Sequence, residues 1–309
     1  MTIVRRSLFY FGVGSVIAGT ICGAGFCLNL GRRLRNVDIE RLRDLGALKL
    51  LDLDSVSGTF IRHLDFPRPT IVCVHGRSAN PMEMFPFAER MFRDGFNVVL
   101  WHQAGRTVRY DDRGVEDILR VVRKVREDSF VDLRRVFVAG FSLGASMSIA
   151  AAANDRDHHI AAVVADSPYA NLKRTAFHYL RVFGWIPAII ASPTAFVTFR
   201  VAELLHGIDF AKSNPSDWAR HVQCPMLLIH GRNDWRIPPE DSDEIYAALS
   251  CPKELWLVNG AGHTGAFEKG PDEYVRRVQR FCETCAAPDR ELRSERRPGP
   301  SWKTGRVGV

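Results

Sequence analysis

Six short, almost continuously apolar runs recur along the chain, at 70–74, 97–101, 135–139, 160–165, 226–229 and 255–258. A strand with one wet face alternates apolar and polar residues; unbroken runs of this length belong to strands covered on both faces. Helical spacing fills the intervals, most clearly at 114–127, where Val115, Ile118, Leu119, Val122 and Val125 fall on one side. This alternation predicts an α/β fold: a mostly parallel sheet with helices on both faces. With 46% hydrophobic and 25% charged residues in 309, the chain has the material for such a core. Global disorder and a small disulfide scaffold are excluded.

The formal charge of +7 is confined to the two ends. Residues 1–35 hold five arginines and no acid, and residues 286–309 hold six basic and three acidic side chains. Between them, 31 basic residues face 32 acidic ones, so a nucleic-acid-binding face is not expected on the body. From Ser7 to Gly31 there is neither charge nor histidine. As a helix this run would reach roughly 37 Å, against ~30 Å of bilayer hydrocarbon. It reads as one N-terminal transmembrane helix, with a cleaved signal peptide as the alternative. The resulting expectation is a membrane protein, or a secreted or periplasmic one after cleavage. Residues 32–57 read as a juxtamembrane stretch with a short helix, ending in a turn at 55–58. The uncharged run 182–199 is broken by Gly184, Pro187 and Pro193, and reads as part of a helical cap over about 172–215. The tail 286–309 reads as disordered.

Gly140-Phe141-Ser142-Leu143-Gly144 stands between the 135–139 run and a helix of small residues. In that context G-x-S-x-G is a sharp strand-to-helix turn that projects a serine hydroxyl from the strand end. A hydroxyl is a weak nucleophile until a base removes its proton. His263 follows the last run in a glycine-rich loop, and Asp234 follows the run before it. All three therefore sit just past strand C-termini, where a parallel sheet brings loops together, in the chain order Ser, Asp, His. The Leu143 N–H at the helix start is one expected oxyanion donor. The loop His75-Gly76-Arg77-Ser78 supplies the second, from the Arg77 N–H, with that of Ser78 as the alternative. Ser78, Tyr169 and Trp235 are the expected substrate contacts. Asp241 and Asp243 read as an exposed helix start, and His230 as a histidine packed beneath the site.

These residues resemble an α/β-hydrolase over roughly 70–285, close to membrane-anchored bacterial members related to dienelactone hydrolases and serine-aminopeptidase-like enzymes. The resemblance rests on His75-Gly76, the turn at 140–144, Gly231 with Asp234, and Gly260 with His263. It implies a hydrolase domain over 58–285 and a serine hydrolase that cleaves an acyl ester or thioester through Ser142, His263 and Asp234. The substrate would be a small or lipid-like acyl compound. A peptidase of the aminopeptidase-like branch is the alternative, and a non-catalytic binding protein of the same fold is the reading from another class. The sequence departs from the resemblance at 102–107, where relatives carry D-x-R-G-x-G, and in antiparallel N-terminal strands that look shortened. The seven cysteines form no framework, and Cys282 and Cys285 have no second pair to make a zinc site. No cofactor or metal is expected.

Overall fold

The computed structural model describes residues 42–53, 56–76, 80–103, 112–183, 195–197, 199–200, 203, 213–285 and 306–308. Each of the six apolar runs falls on a strand, the fourth joining it only from its third residue: β3 (Arg68–Val74), β4 (Asn97–Gln103), β5 (Val131–Phe141), β6 (Ala162–Asp166), β7 (Met226–Gly231) and β8 (Lys253–Val258). They pair in parallel in the order β4-β3-β5-β6-β7-β8. Between and after them come helices α1 (Phe85–Arg93), α2 (Asp112–Arg126), α3 (Leu143–Asn154), α4 (Leu172–Phe183), α5 (Pro215–Ala219), α6 (Glu240–Ala248), α7 (Ala266–Lys269) and α8 (Pro271–Cys285).

The pleat divides each strand between two cores. Val72 and Val74 pack with α2, α3 and α6 on one face, whereas Ile71 and Cys73 pack with α1 and α8 on the other. Burying each such side chain contributes roughly 1.5–3 kcal/mol, which is why the runs are almost continuously apolar. Helix α3 is buried from Leu143 through Ala152. Its alanines and serines let it pack closely on every side, against the sheet and against α2 and α5, as a helix without a wet face must.

The N-terminal reading needs correction. Residues 42–43 are helical and the rest of the expected short helix lies outside the described residues, but in place of the turn at 55–58, β1 (Ala47–Leu53) and β2 (Val56–Arg62) form an antiparallel hairpin, and β2 pairs antiparallel with β4. The domain thus extends upstream of 58, at least to the fully buried Leu42, and these strands are not shortened. Gly58, read as a turn signal, lies within β2. A side chain there would collide with the backbone and Cβ of Trp101 on β4, so the glycine marks a close approach. Asp128 fastens the hairpin to the body, accepting Lys49 Nζ at 2.9 Å and an Arg62 guanidinium nitrogen at 2.8 Å.

Residues 1–41, including the expected membrane span at 7–31, lie outside the described residues. Among the described residues, no helix is long and apolar enough to cross a membrane. Within the tail read as disordered, Arg306–Gly308 form β9, parallel to β8. Of the expected cap, α4 and the helical residues 195–197 and 199–200 are described; most of 184–212 lies outside.

Candidate active site

The turn between β5 and α3 places Ser142 at φ 55° and ψ −118°, a conformation that side chains adopt only under constraint. The Ser142 N–H donates to the Asp166 carbonyl at 2.8 Å, tying the turn to the adjacent strand β6. The flanking glycines are steric requirements: a Cβ on Gly144 would run into the Val74 and His75 carbonyls, and one on Gly140 into Gly144. Ser142 stands where a helix-capping serine would stand, yet its hydroxyl caps nothing. Its Oγ lies 2.9 Å from His263 Nε2.

On the other side of the ring, His263 Nδ1 donates to Asp234 Oδ2 at 2.7 Å. Asp234 is itself clamped, its Oδ1 accepting the backbone N–H of Arg236 at 2.9 Å and of Ile237 at 3.0 Å. His230, on the last residues of β7, approaches Asp234 Oδ2 with Nε2 at 3.2 Å. The same Nε2 lies 3.0 Å from the Ile237 carbonyl, and Nδ1 lies 2.6 Å from Ser242 Oγ. One assignment satisfies all of these contacts: Nε2–H donates and Nδ1 accepts from the Ser242 hydroxyl. Burial pushes the Asp234 carboxyl upward, but the hydrogen bonds from His230 and His263 outweigh it, and its pKa lies well below the ordinary carboxylate range. The structure thus brings Ser142, His263 and Asp234 into one hydrogen-bonded series, from loops after β5, β8 and β7.

Leu143 opens α3, where backbone N–H groups lack an acceptor within the helix. Arg77 and Ser78 lie outside the described residues. Just before them, His75 donates Nδ1–H to the Gly76 carbonyl at 2.7 Å, and burial pushes its imidazole down to about 4. His75 therefore stays neutral at ordinary pH and braces the turn.

A cavity of about 940 Å³ opens over Ser142 and His263. Met82, Phe87, Phe141, Tyr179 and Phe267 give it apolar walls, and Glu83, Arg236 and Glu268 add charge. Tyr169 and Trp235 are not among the described residues that line it. Tyr169 is buried in the core, where its backbone N–H and carbonyl both bond the Ser146 hydroxyl. Trp235 is 55% exposed; the turn that wraps Asp234 directs its neighbour Arg236 to the cavity instead. The Trp235 carbonyl lies 2.9 Å from His178 Nε2, joining α4 to the acid-bearing loop. Asp241, expected at an exposed helix start, is buried; it accepts the Ala170 N–H at 2.9 Å and Arg174 at 2.7 Å. Of these walls, Tyr179 lies in the segment read as the cap and Phe141 in the turn at 140–144, whereas Met82, Phe87 and Phe267 carried no signal in the sequence. Cys282 and Cys285 are free thiols, and burial pushes Cys285 up to about 12. Among the described residues, no group of three His, Cys, Asp or Glu is placed to hold a metal ion.

Known proteins resemble this arrangement. Residues 99–289 match the model of the prolyl oligopeptidase family. Esterase EstD of Thermotoga maritima is 23% identical over 245 residues, covering 68% of this chain and 58% of its own. Protein YqkD of Bacillus subtilis is 22% identical over 232 residues, covering 73% and 74%. Among solved structures, the Pyrococcus furiosus esterase Pf2001 superposes with a TM-score of 0.67 at 23% identity, covering 84% of this chain and 98% of its own. A putative dipeptidyl aminopeptidase IV from Bacteroides ovatus gives 0.57 at 14% identity, over 77% and 36%. With the family match covering more than half its length, the chain belongs to the prolyl oligopeptidase family and has the α/β-hydrolase fold.

Proposed function

We propose that the protein is a serine hydrolase that cleaves an acyl ester or thioester. The observation that carries this reading is the series Asp234–His263–Ser142, closed at 2.7 and 2.9 Å at the mouth of the cavity. Ser142 Oγ attacks the substrate carbonyl while His263 Nε2 takes its proton. Asp234 holds Nδ1–H, which keeps Nε2 free to accept that proton and stabilises the imidazolium that forms. The Leu143 N–H, with that of Arg77, receives the charge on the tetrahedral oxygen. His263 returns the proton to the leaving alcohol or thiol, leaving an acyl group on Ser142. Water, deprotonated by the same imidazole, then releases the acid. Of the residues named from sequence as substrate contacts, Ser78 keeps that role in this scheme; Tyr179 and Phe267 replace Tyr169 and Trp235, and their apolar surface suits an acyl chain.

A fluorophosphonate probe tests the reading: it labels the wild type and leaves Ser142→Ala unlabelled. A folded wild-type protein that takes no label ends the proposal. The family match favours one second reading, a peptidase; a panel of dipeptide amides beside short- and long-chain acyl esters separates the two. Residues 7–31, uncharged and flanked by Arg5, Arg6, Arg32 and Arg33, support attachment of the enzyme to a membrane. Full-length protein released from membranes by alkaline carbonate would contradict that attachment.

A further inference from the structure

The pair Asp166-Ser167 at the end of β6 takes no part in the chemistry above, yet it touches both of its halves. Both residues are fully buried, as is Tyr274 on α8. The Asp166 main-chain carbonyl receives the Ser142 N–H at 2.8 Å. Its side chain works on the other half of the site. Asp166 Oδ1 accepts the Ser167 hydroxyl at 2.8 Å, and that hydroxyl oxygen accepts the N–H of Thr264 at 3.1 Å. Thr264 is the residue next to His263. Asp166 Oδ2 accepts the Tyr274 hydroxyl at 3.1 Å, and the Tyr274 ring is wedged edge-on against Phe87 and Phe267.

The backbone strain follows the same path. Among the described residues, positive φ outside glycine occurs at Ser142, Ser167, Thr264 and His158, with values of 55°, 55°, 52° and 52°. Three of the four belong to this chain of contacts. Such conformations persist only where the surroundings over-determine them.

We propose that Asp166, acting through the Ser167 hydroxyl, is a positioning residue that sets His263 against Ser142. This rests on the reading of Ser142 as nucleophile and His263 as base. A serine hydroxyl carries one proton and rotates to suit its partners. The Asp166 carboxylate takes that proton and leaves the oxygen's lone pairs facing the Thr264 N–H. One buried residue thereby holds the nucleophile turn by its main chain and the base-bearing loop by its side chain.

Ser167→Ala deletes the bridging oxygen and leaves the φ of 55° as it was. With p-nitrophenyl acetate, kcat per fluorophosphonate-titrated site is expected to fall roughly tenfold or more, because small misplacements of reacting groups cost that much, while KM stays within twofold. Asp166→Ala gives the same loss. Asp166→Asn, whose amide oxygen still accepts the Ser167 hydroxyl, recovers most of it. A residue that only supports the fold gives another pattern: a lower Tm, an unchanged kcat per titrated site, and an asparagine variant no better than the alanine one. That pattern overturns the proposal. Should Asp166→Ala fail to fold, Ser167→Ala decides alone, by its kcat per titrated site. An unlabelled wild type removes the reading of Ser142 and His263 itself; a labelled wild type matched in kcat by Ser167→Ala removes only the positioning role.

Discussion

Replacing Asp234 by asparagine inverts one hydrogen bond at the centre of the site. Oδ1 has a fixed task, accepting two backbone N–H groups at 2.9 and 3.0 Å, and the asparagine oxygen takes it over. The amide NH2 must then occupy the position of Oδ2, where His263 Nδ1–H at 2.7 Å and His230 Nε2–H at 3.2 Å both point inward. Donors now face donors. His263 escapes by moving its proton to Nε2, which leaves Nδ1 free to accept from the amide. That tautomer presents N–H to Ser142 Oγ and has no lone pair for its proton. General-base assistance and the ion pair of the transition state are lost together, which corresponds to about 10³–10⁴ in rate, or roughly 4–5.5 kcal/mol. The assay is the second-order rate of fluorophosphonate labelling at pH 7, normalised to folded protein by circular dichroism. Labelling of Asp234→Asn within tenfold of wild type would show that the carboxylate does not set the His263 tautomer, and the reasoning would fail. A pH arm accompanies it. The wild-type carboxyl lies below its unfolded pKa, so its stabilisation is complete above about pH 4 and is lost only as the pH falls further, towards its folded value. The asparagine variant lacks this acid limb, and the gap between the two melting temperatures should narrow below pH 4.

Three further outcomes are expected. Burial pushes Asp166 up to about 6, against the hydrogen bonds from Ser167 and Tyr274 that lower it. The unfolded carboxyl titrates near 4, so ionised Asp166 opposes folding by roughly 3 kcal/mol above pH 6 and not at all below about pH 4. Asp166→Asn should therefore melt higher than wild type at pH 8 and equal to it at pH 4; a lower melting temperature at pH 8 contradicts this. Gly144→Ala should abolish soluble expression or cost more than about 3 kcal/mol, since the new methyl meets backbone carbonyls that have nowhere to go; a wild-type urea midpoint would refute it. Asp128→Asn should lower the unfolding free energy read from urea denaturation by about 1–3 kcal/mol, because Arg62 and the half-exposed Lys49 lose their shared carboxylate. Unchanged stability would show that the hairpin is held by its ladder alone.

How much of this was legible in the sequence depended on whether a residue's environment is set locally. The parallel strands announced themselves because burial on both faces leaves one solution, a continuous apolar run. Ser142, Asp234 and His263 were legible because each marks a strand end followed by a turn. The hairpin of β1 and β2 was not. In β1 only Leu51 is buried, and Leu50 stands 60% exposed at the sheet edge, so its pattern matched neither template. In β2 the glycine that accommodates Trp101 looked like a turn. Asp241 misled for a similar reason. Carboxylates in a first helical turn are usually wet, and its partner, the Ala170 amide, is 71 residues away. Tyr169 and Trp235 show that adjacency to a reactive residue does not say where a side chain points. The Asp166-Ser167 pair follows the run at 160–165, but its role was not legible, because its partners on α8 and the His263 loop are brought in only by the fold.

The separations between the partners in the site carry a consequence for how activity arises. His263 meets Ser142 across 121 residues and Asp234 across 29, and each comes from the far end of a different sheet strand. No contiguous segment contains a working fraction of the machinery. On the proposed mechanism, chemistry begins only once β5 through β8 lie side by side, with long-range closure complete. During refolding, burst labelling by an active-site probe should trail the return of helical signal and coincide with the slowest tertiary phase. The enzyme's own turnover is thus a counter of finished molecules, blind to every intermediate that precedes them.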